Sequence, residues 1–183
     1  MGIRNYLIAG VSGAGKTSVC NELQRRGYHA IHGDRELAYQ GEPETGIPTD
    51  GPMVANQDEA VTFISEHHIW HIDTVRALVA QQDEAVTFFC GGSRNFPRFI
   101  DLFDGVFVLE VDLETSLRRI DERVALDPTD WGGTPAERAI IRRLHQTQAG
   151  IPTNGIIIDA TAPIVEVVDE ILHHIEANEC QSQ

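Results

Sequence analysis

The sequence predicts an α/β fold with a parallel sheet, and two observations support this prediction. Short segments that are apolar almost throughout, such as residues 5–9, alternate with segments whose apolar residues recur at helical spacing. A strand that is apolar on both faces must be covered on both faces, and a parallel sheet flanked by helices meets that requirement. Ligands of such sheets bind beyond the carboxyl ends of the strands, where this chain places Gly10, Asp34, Gly91 and Asp112.

The first half of the chain supplies three of the predicted strands. The apolar run 5–9 leads into a glycine-rich turn and then a helix over 16–26, which Gly27 ends. Residues 28–32 form the second predicted strand and residues 85–90 the third.

The pattern is weaker between the second and third strands. Residues 40–56 hold several glycines and prolines and are predicted to be irregular, whereas residues 70–80 are predicted to be helical. The heptapeptide QDEAVTF occurs twice, at 57–63 and at 82–88. No second pair extends it into a repeat architecture, and the second copy is the better strand because two further apolar residues prolong it.

The second half of the chain completes the alternation. Residues 106–111 are the fourth predicted strand, and Asp112 is the predicted N-cap of the next helix. Thr134 begins a capping box with Pro135 at the first helical position, and residues 156–158 are the fifth strand. The last helix carries one apolar stripe, at positions 164, 167, 168, 171, 172 and 175.

Composition limits the classes of function. The chain has 183 residues, of which 42% are apolar and 23% charged, and we predict one domain over residues 1–183. Its net charge of -14 argues against a general nucleic-acid or anionic-membrane surface. No apolar run reaches the roughly 20 residues of a membrane helix, and the N-terminus lacks the apolar run of a signal peptide. A cytoplasmic location is therefore the default prediction.

Residues 10–17 read GVSGAGKT, the pattern of a phosphate-binding loop. Its glycines let the backbone wrap a polyphosphate, and the helix that follows presents its positive end to the same anion. The motif follows a predicted strand and opens a predicted helix, as its mechanism requires. Lys16 is expected to reach the β- and γ-phosphates of ATP, and the Thr17 hydroxyl to ligate Mg²⁺. The nucleotide contacts predicted here are Gly10, Ser12, Gly13, Ala14, Gly15, Lys16, Thr17 and Ser18.

Lys16 is the only lysine in the chain, since the 14 basic residues are otherwise arginines. A genome bias toward arginine codons explains the general scarcity of lysine, but not its survival inside this motif. A compact ammonium with rotatable donors differs from a planar guanidinium. The presence of lysine at position 16 indicates a site where arginine cannot replace it.

Four further motifs follow the loop in order: IHGDRE at 31–36, FCGGSR at 89–94, LRRIDER at 117–123 and IDATAP at 158–163. With them, the chain resembles the P-loop small-molecule and nucleotide kinases, the group of shikimate kinase and adenylate kinase, over nearly its whole length. The resemblance implies a three-layer P-loop NTPase fold, a five-stranded parallel sheet in the order 2-3-1-4-5, and a mobile lid at about 124–134. The segment 40–71 matches neither relative closely, although it is expected to shape the acceptor pocket.

The resemblance also implies an acceptor site. Asp34, followed by Arg35, holds the acceptor and positions or deprotonates its hydroxyl group. Gly91 and Gly92 line this site, and Arg94 meets a phosphate or the acceptor.

On the nucleotide side, the resemblance places Arg119 and Arg123 at the entrance of the lid. They lie one helical turn apart and are expected to close on the γ-phosphate. Thr161, Ala162 and Pro163 correspond to the loop around the adenine. Lys16, Asp34 and Arg123 are thus the predicted catalytic residues. Arg138, Arg142 and Arg143 flank the lid on its other side, either as further contacts or as a solvated helix face.

Two departures from the family pattern bear on the metal site and the acceptor site. Cys90 stands where nucleotide kinases commonly have an acidic residue that helps to position Mg²⁺, which leaves Asp34 as the acidic partner of Thr17. His32 stands where shikimate kinase has a second acidic residue. Cys90 is interpreted as an inert buried residue, because the odd number and wide spacing of Cys20, Cys90 and Cys180 fit reduced thiols.

His67, His68 and His71 form an HHxxH cluster whose spacing would suit a metal. No further His or Cys lies close in sequence to complete such a site, and Trp70 suggests the start of a packed helix instead.

The sequence therefore predicts an ATP-dependent phosphotransferase whose cofactors are ATP and Mg²⁺. Its acceptor is a nucleoside, a nucleotide, a sugar acid or a shikimate-like ring, and no nucleic-acid or membrane partner is expected. The alternatives are an NTPase whose acceptor is water and a nucleotide-binding regulatory module with little catalysis.

Overall fold

The computed structural model describes residues 3–51, 53 and 56–181, with side chains up to residue 177. In chain order the elements are β1 (Arg4–Gly10), α1 (Lys16–Arg25), β2 (His29–His32), α2 (Gly33–Glu36), β3 (Ala38–Gln40), α3 (Gln57–Glu66), β4 (His68–Trp70), α4 (Ile72–Val79), β5 (Val86–Cys90), β6 (Gly105–Glu110), α5 (Leu113–Leu126), α6 (Pro135–Thr147), β7 (Ile156–Asp159) and α7 (Ile164–Gln181). Two short 3₁₀ turns, Phe96–Arg98 and Ile100–Leu102, connect β5 to β6.

A five-stranded parallel sheet with the order β2-β5-β1-β6-β7 forms the centre of the fold. When its strands are numbered along the chain, this order is 2-3-1-4-5, so the predicted fold class and sheet order are confirmed. The predicted bounds of the five strands agree with the observed ones to within one residue.

The sheet is covered on both faces, because alternate residues of each strand point to opposite sides. Tyr6 and Ile8 belong to one buried cluster, together with residues of α1 and α7. Leu7 and Ala9 belong to the other, together with α4 and the aromatic residues of the 3₁₀ turns. Within the described part of the chain, no helix has the length and apolarity needed to cross a bilayer.

A second, two-stranded sheet was not predicted. β3 and β4 pair antiparallel at the two ends of the segment 40–71, whose residues 52, 54 and 55 lie outside the described ones. The prediction of a helix from Trp70 is wrong at its start, since Trp70 ends β4 and the helix begins at Ile72. The physical reason is tertiary: the Trp70 ring is fully buried and stacks against Phe99 at 5.8 Å between ring centroids.

The two copies of QDEAVTF adopt different structures. The first opens α3, where the Asn56 side chain caps the helix by accepting from the Glu59 N–H at 2.9 Å. The second runs from a loop into β5, between β1 and β2, as its apolar extension indicated. Because the seven residues are identical, the neighbours in sequence and space decide the outcome.

An ion-pair cluster joins α1 to α7. Buried Glu22 accepts from Arg25 at 2.7 Å and from Arg26 at 2.8 Å, and Arg26 continues to Asp169 of α7. The hydrogen bonds from Arg25 and then from Arg26 lower the pKa of Glu22 to about 2. These two hydrogen bonds thus favour the ionised form of the Glu22 carboxylate in the folded state.

We expect Glu22→Gln to lower the melting temperature at neutral pH. Because the folded pKa lies below the unfolded value of 4.5, the contribution of Glu22 is present above pH 4.5 and is lost as the pH falls toward about 2. The difference in melting temperature between wild type and Glu22→Gln should therefore shrink over this range. Glu170→Gln, an exposed change on α7, is the control and should show no such convergence. An effect of Glu22→Gln on the melting temperature that did not change with pH would contradict the lowered pKa of Glu22.

Candidate active site

A cavity of about 860 Å³ opens at the carboxyl edge of the large sheet. Its wall combines the loop after β1, α2, the segment after β5, α5, and the loops after α6 and β7. It gathers most of the predicted site residues, namely Gly10, Ser12, Gly13, Ala14, Gly15, Lys16, Thr17, Ser18, Asp34, Arg35, Gly92, Arg94, Arg119, Arg123 and Ala162. Gly91, Thr161 and Pro163 adjoin this wall in sequence without forming part of it.

The phosphate-binding loop depends on its glycines for two distinct reasons. Gly13 and Gly15 have φ values of 78° and 98°, a left-handed backbone that other residues rarely adopt. A Cβ at Gly13 would also lie 2.6 Å from the Ser116 carbonyl oxygen. The Ser116 hydroxyl in turn donates to the Ser12 carbonyl at 2.7 Å, so α5 braces the loop.

Lys16 lies inside this loop. Its Nζ donates to the carbonyl oxygens of Gly10 at 2.8 Å and Val11 at 2.9 Å. Burial is the main cause that lowers the pKa of Lys16, and Arg123 adds to the effect while Asp34 opposes it. The ammonium is therefore held by carbonyl dipoles at a point where a polyphosphate would offer it stronger acceptors.

Arg119 and Arg123 both reach the cavity, but they contact different parts of it. Arg119 Nη2 donates to the Ala160 carbonyl at 2.7 Å and lies near the carbonyl oxygens of the phosphate-binding loop. Arg123 Nη2 donates to the Trp131 carbonyl at 2.6 Å, and its Nε lies 2.9 Å from an Asp130 carboxylate oxygen without hydrogen-bond geometry. Arg119 thus joins the phosphate-binding loop to the loop after β7, while Arg123 is engaged by the predicted lid segment.

Asp34 stands on α2, immediately after β2. Its Oδ1 accepts from the Gly92 N–H at 2.8 Å and from His68 Nε2 at 3.2 Å, and its side chain is 44% exposed. Burial acts to raise the pKa of Asp34, but the His68 bond, the Lys16 charge and the Gly92 N–H together bring it below its usual value. Asp34 is therefore a carboxylate at neutral pH and faces the Lys16 ammonium.

The guanidinium of Arg94, which was predicted to meet a phosphate or the acceptor, forms hydrogen bonds with other protein groups. Its guanidinium donates to the Ser65 carbonyl at 2.8 Å, to the Ser65 hydroxyl at 3.0 Å and to the Ala149 carbonyl at 2.9 Å. Burial is the main cause that lowers its pKa. Arg94 lines the cavity, but much of its fork joins α3 to the loop after α6.

The three histidines of the HHxxH cluster point to three different partners. His67 stacks on Phe63 at 3.8 Å between centroids and lies 3.3 Å from Glu42. His71 stacks on Tyr39 at 3.7 Å. His68 alone contacts Asp34, which is an arrangement unlike a shared metal site.

Arg138, Arg143 and Cys90 contact other protein groups and do not line the cavity. Arg138 pairs with Asp121 at 2.6 Å and Arg143 lies 3.6 Å from Glu66, outside the cavity wall. Burial and then Cys20 raise the pKa of Cys90 well above its usual range, so that this thiol stays protonated.

Sequence reasoning missed several residues of the cavity wall. His68, Ser65 and Ile64 come from the segment 40–71, and Trp131 and Asp130 come from the predicted lid. The sequence held no clear signal for His68, because Ile69 and Trp70 are both apolar and three residues are too few to show the alternation of a strand.

Comparisons with known proteins place this geometry in a family. A family model described as an AAA domain matches residues 7–139. The chain belongs to this AAA-domain family. The predicted resemblance to P-loop proteins is thereby confirmed, and no curated protein matches the chain.

Solved structures share the fold of this AAA-domain chain. A gluconokinase from Sinorhizobium meliloti 1021 is 18% identical, with 98% of each chain covered and a TM-score of 0.56. A sugar kinase from Janibacter sp. HTCC2649 is 16% identical, with 95% of each chain covered and a TM-score of 0.52. A deoxyadenosine kinase from M. mycoides is 13% identical, covers 94% of this chain and 99% of its own, and has a TM-score of 0.52. At such identities, these likenesses establish the fold alone.

We expect Gly91→Ala and Gly92→Ala to differ in stability, although the residues are adjacent. A Cβ at Gly91 would lie 2.6 Å from the Trp70 ring and 2.8 Å from the Asp34 carboxylate, whereas among the described residues nothing lies within 4 Å of one at Gly92. Overpacking should cost Gly91→Ala about 1–3 kcal/mol in the free energy of unfolding. Gly92→Ala should stay within about 0.5 kcal/mol of wild type. Chemical denaturation measures both, and equal effects would contradict the packing described.

Proposed function

We propose that this chain is an ATP-dependent phosphotransferase that moves the γ-phosphate of ATP to a small acceptor bearing a hydroxyl or phosphate group. The observation that carries the proposal is that Lys16 and Asp34, which carry opposite charges, line the same cavity at the carboxyl edge of the sheet. The ammonium is the group that binds and neutralises the transferred phosphoryl group, and the carboxylate is the group that binds an acceptor. A protein that only binds nucleotide requires no such carboxylate.

The nucleotide is proposed to lie along the phosphate-binding loop. The loop N–H groups and the amino end of α1 face the phosphates, and Lys16 exchanges its two carbonyl partners for β- and γ-phosphate oxygens. The base extends toward the loop after β7, which Arg119 joins to the phosphate-binding loop through Ala160. In this role Arg119, Thr161, Ala162 and Pro163 enclose the nucleotide.

Mg²⁺ fits two residues of the cavity wall, Thr17 and Asp34. The Thr17 hydroxyl and the Asp34 carboxylate both line the wall, and oxygen donors of this kind are those that Mg²⁺ prefers. When bound, the ion would neutralise charge on the phosphates. Asp34 Oδ1 is engaged by Gly92 and His68, which leaves Oδ2 for the metal or the acceptor.

Phosphoryl transfer needs the acceptor oxygen in line with the bond that breaks. Asp34 orients the acceptor hydroxyl and takes its proton as the oxygen attacks phosphorus, while the bond from the γ-phosphorus to the bridging oxygen breaks and ADP leaves. Arg35, exposed at the cavity wall, and Arg94 supply positive charge on the acceptor side. Ile64, Ser65 and His68 of segment 40–71 form this side together with Gly92, and Gly91 lies behind it against Trp70.

The segment 124–134 is proposed to act as a lid within one domain of 183 residues. Arg123 is held by Trp131 and Asp130 of this segment, so a movement of the segment would carry the guanidinium with it. Closing over ATP would bring Arg123 to the γ-phosphate and exclude water. This gives Arg123 its catalytic role.

Lys16→Met should abolish turnover and leave the fold intact. The ammonium contacts loop carbonyls rather than the core, and its loss removes the charge that stabilises the transferred phosphoryl group. We expect a fall in ATP consumption of at least about 100-fold. Arg118→Met is the control, since it removes an exposed cation of α5 that pairs with Glu122. Normal activity of Lys16→Met would contradict the proposed phosphate site.

The proposal is tested by ADP release from Mg²⁺-ATP in the presence of gluconate, shikimate, deoxyadenosine and a deoxynucleoside monophosphate in turn. One acceptor should stimulate ADP release, and Asp34→Asn should reduce that stimulated rate by about 100-fold or more. Asp101→Asn, an exposed and remote change, should leave it unaltered. ADP release that no acceptor stimulates would favour a hydrolase, and ATP binding without turnover would favour a regulatory module.

A further inference from the structure

The strand β4 brings His68 to the acceptor carboxylate by a defined route. Residues two apart on a strand face the same side, so His68 and Trp70 share a face of β4. The Trp70 ring packs against the backbone of Gly33 and Gly91. A Cβ atom added at Gly33 would lie 2.1 Å from the ring, and one added at Gly91 would lie 2.6 Å from it. This packing places His68 beside Asp34 and Gly92, the residues that follow those two glycines.

The backbone of β4 is fixed as firmly as its side chains. The Arg94 N–H donates to the His68 carbonyl at 2.9 Å. The Trp70 N–H donates to Ser93 Oγ and Asn95 Oδ1, both at 3.1 Å, and Asn95 Nδ2 donates to the Trp70 carbonyl at 3.0 Å. The segment after β5 thus holds β4 like a neighbouring strand.

The hydrogen bonds at Asp34 determine which atom remains available. A carboxylate is only an acceptor, so His68 Nε2 carries the proton in its 3.2 Å contact with Oδ1. The Gly92 N–H binds the same oxygen at 2.8 Å. With Oδ1 held from two directions, the carboxylate cannot rotate freely, and Oδ2 is the oxygen left for a ligand.

We propose that His68 is a positioning residue for Asp34, which fixes the carboxylate so that Oδ2 addresses the acceptor. His68 is suited to this role because its side chain is 34% exposed and lines the cavity, while its backbone is anchored. His68 keeps its proton during transfer, and the proton of the acceptor hydroxyl goes to Asp34. The inference rests on the proposed function, since it concerns the same carboxylate.

The charged and titratable groups around Asp34 come from three elements. Lys16 faces it from α1, Cys90 from the end of β5 and His68 from β4. The His68 bond and the Lys16 charge both lower the pKa of Asp34. Removing His68 would therefore leave Oδ1 with the Gly92 N–H as its remaining donor among these groups.

The test compares His68→Ala, His68→Gln and His71→Ala. The amide of glutamine restores a donor near the position of Nε2, whereas alanine does not. His71 is the matched control because its exposed ring stacks on Tyr39 and forms no part of the cavity wall. Circular dichroism and thermal unfolding check that each variant is folded.

The first readout needs no acceptor. In protein labelled at the aspartate carboxyl carbons, the Asp34 resonance is assigned by its loss in Asp34→Asn, and its chemical shift is compared among the variants at one neutral pH. Because the His68 bond to Oδ1 polarises the carboxyl group, we expect this shift to change most in His68→Ala, less in His68→Gln, and not in His71→Ala. An unchanged Asp34 shift in His68→Ala would overturn the inference.

The second readout uses the acceptor that stimulates ADP release. His68→Ala should lower kcat with that acceptor by about tenfold or more, as expected for a lost hydrogen bond to a charged group. His68→Gln should recover most of this loss, and the KM for ATP should not change in either variant. Equal losses in His68→Ala and His68→Gln, or no loss in His68→Ala, would overturn the positioning role. If wild type phosphorylates no acceptor while His68→Ala still changes the Asp34 carboxyl shift, the proposed function fails and the Asp34–His68 pairing stands.

Discussion

The site depends on the close approach of the backbone at Gly91 to two side chains. At Gly91 the chain passes between the Trp70 ring and the Asp34 carboxylate, with no room for a side chain. This approach brings the ends of β2 and β5 together with β4, so that Gly92 and His68 both donate to Asp34. Because β1 lies next to β5 in the sheet, the same edge carries Lys16 in the phosphate-binding loop. The opposite charges that would act on a phosphoryl group thus come from sheet order and from packing on one tryptophan.

The two halves of the cavity are built by different means. The proposed nucleotide half consists mainly of short continuous segments, namely a glycine-rich loop, the start of α1 and two arginines on one helix. The proposed acceptor half is formed by contacts between distant segments, such as Arg94 with Ser65 and Ala149. A phosphate group is the same in every nucleotide, whereas acceptors differ. It is therefore physically reasonable that the half assembled from long-range contacts is also the half that sets specificity.

This division also explains how much the sequence alone could predict. The five strands were predictable because buried parallel strands are apolar runs and because the loop motif marks β1. Their order followed from the resemblance to P-loop kinases. The strand β4, which ends at Trp70, was not predictable, since three residues hold too little pattern to distinguish a strand from the start of a helix. The QDEAVTF copies make the same point, because identical residues form a helix in α3 and a strand in β5. Asp34 was found through its place after a strand, but its bond to His68 requires β4 to be in position. The hydrogen bonds from the Arg94 guanidinium to backbone carbonyl groups could not be predicted either, because their acceptors lie 29 and 55 residues away in sequence.

The central claim is that the cavity transfers a phosphoryl group to an acceptor other than water. Phosphorus NMR of the wild-type chain with Mg²⁺-ATP and the stimulating acceptor tests this most directly, since it identifies the product. The account predicts that ADP and a new phosphorylated acceptor signal grow in equal amounts, with little inorganic phosphate. Growth of inorganic phosphate in step with ADP, with no new phosphorylated species, would contradict it.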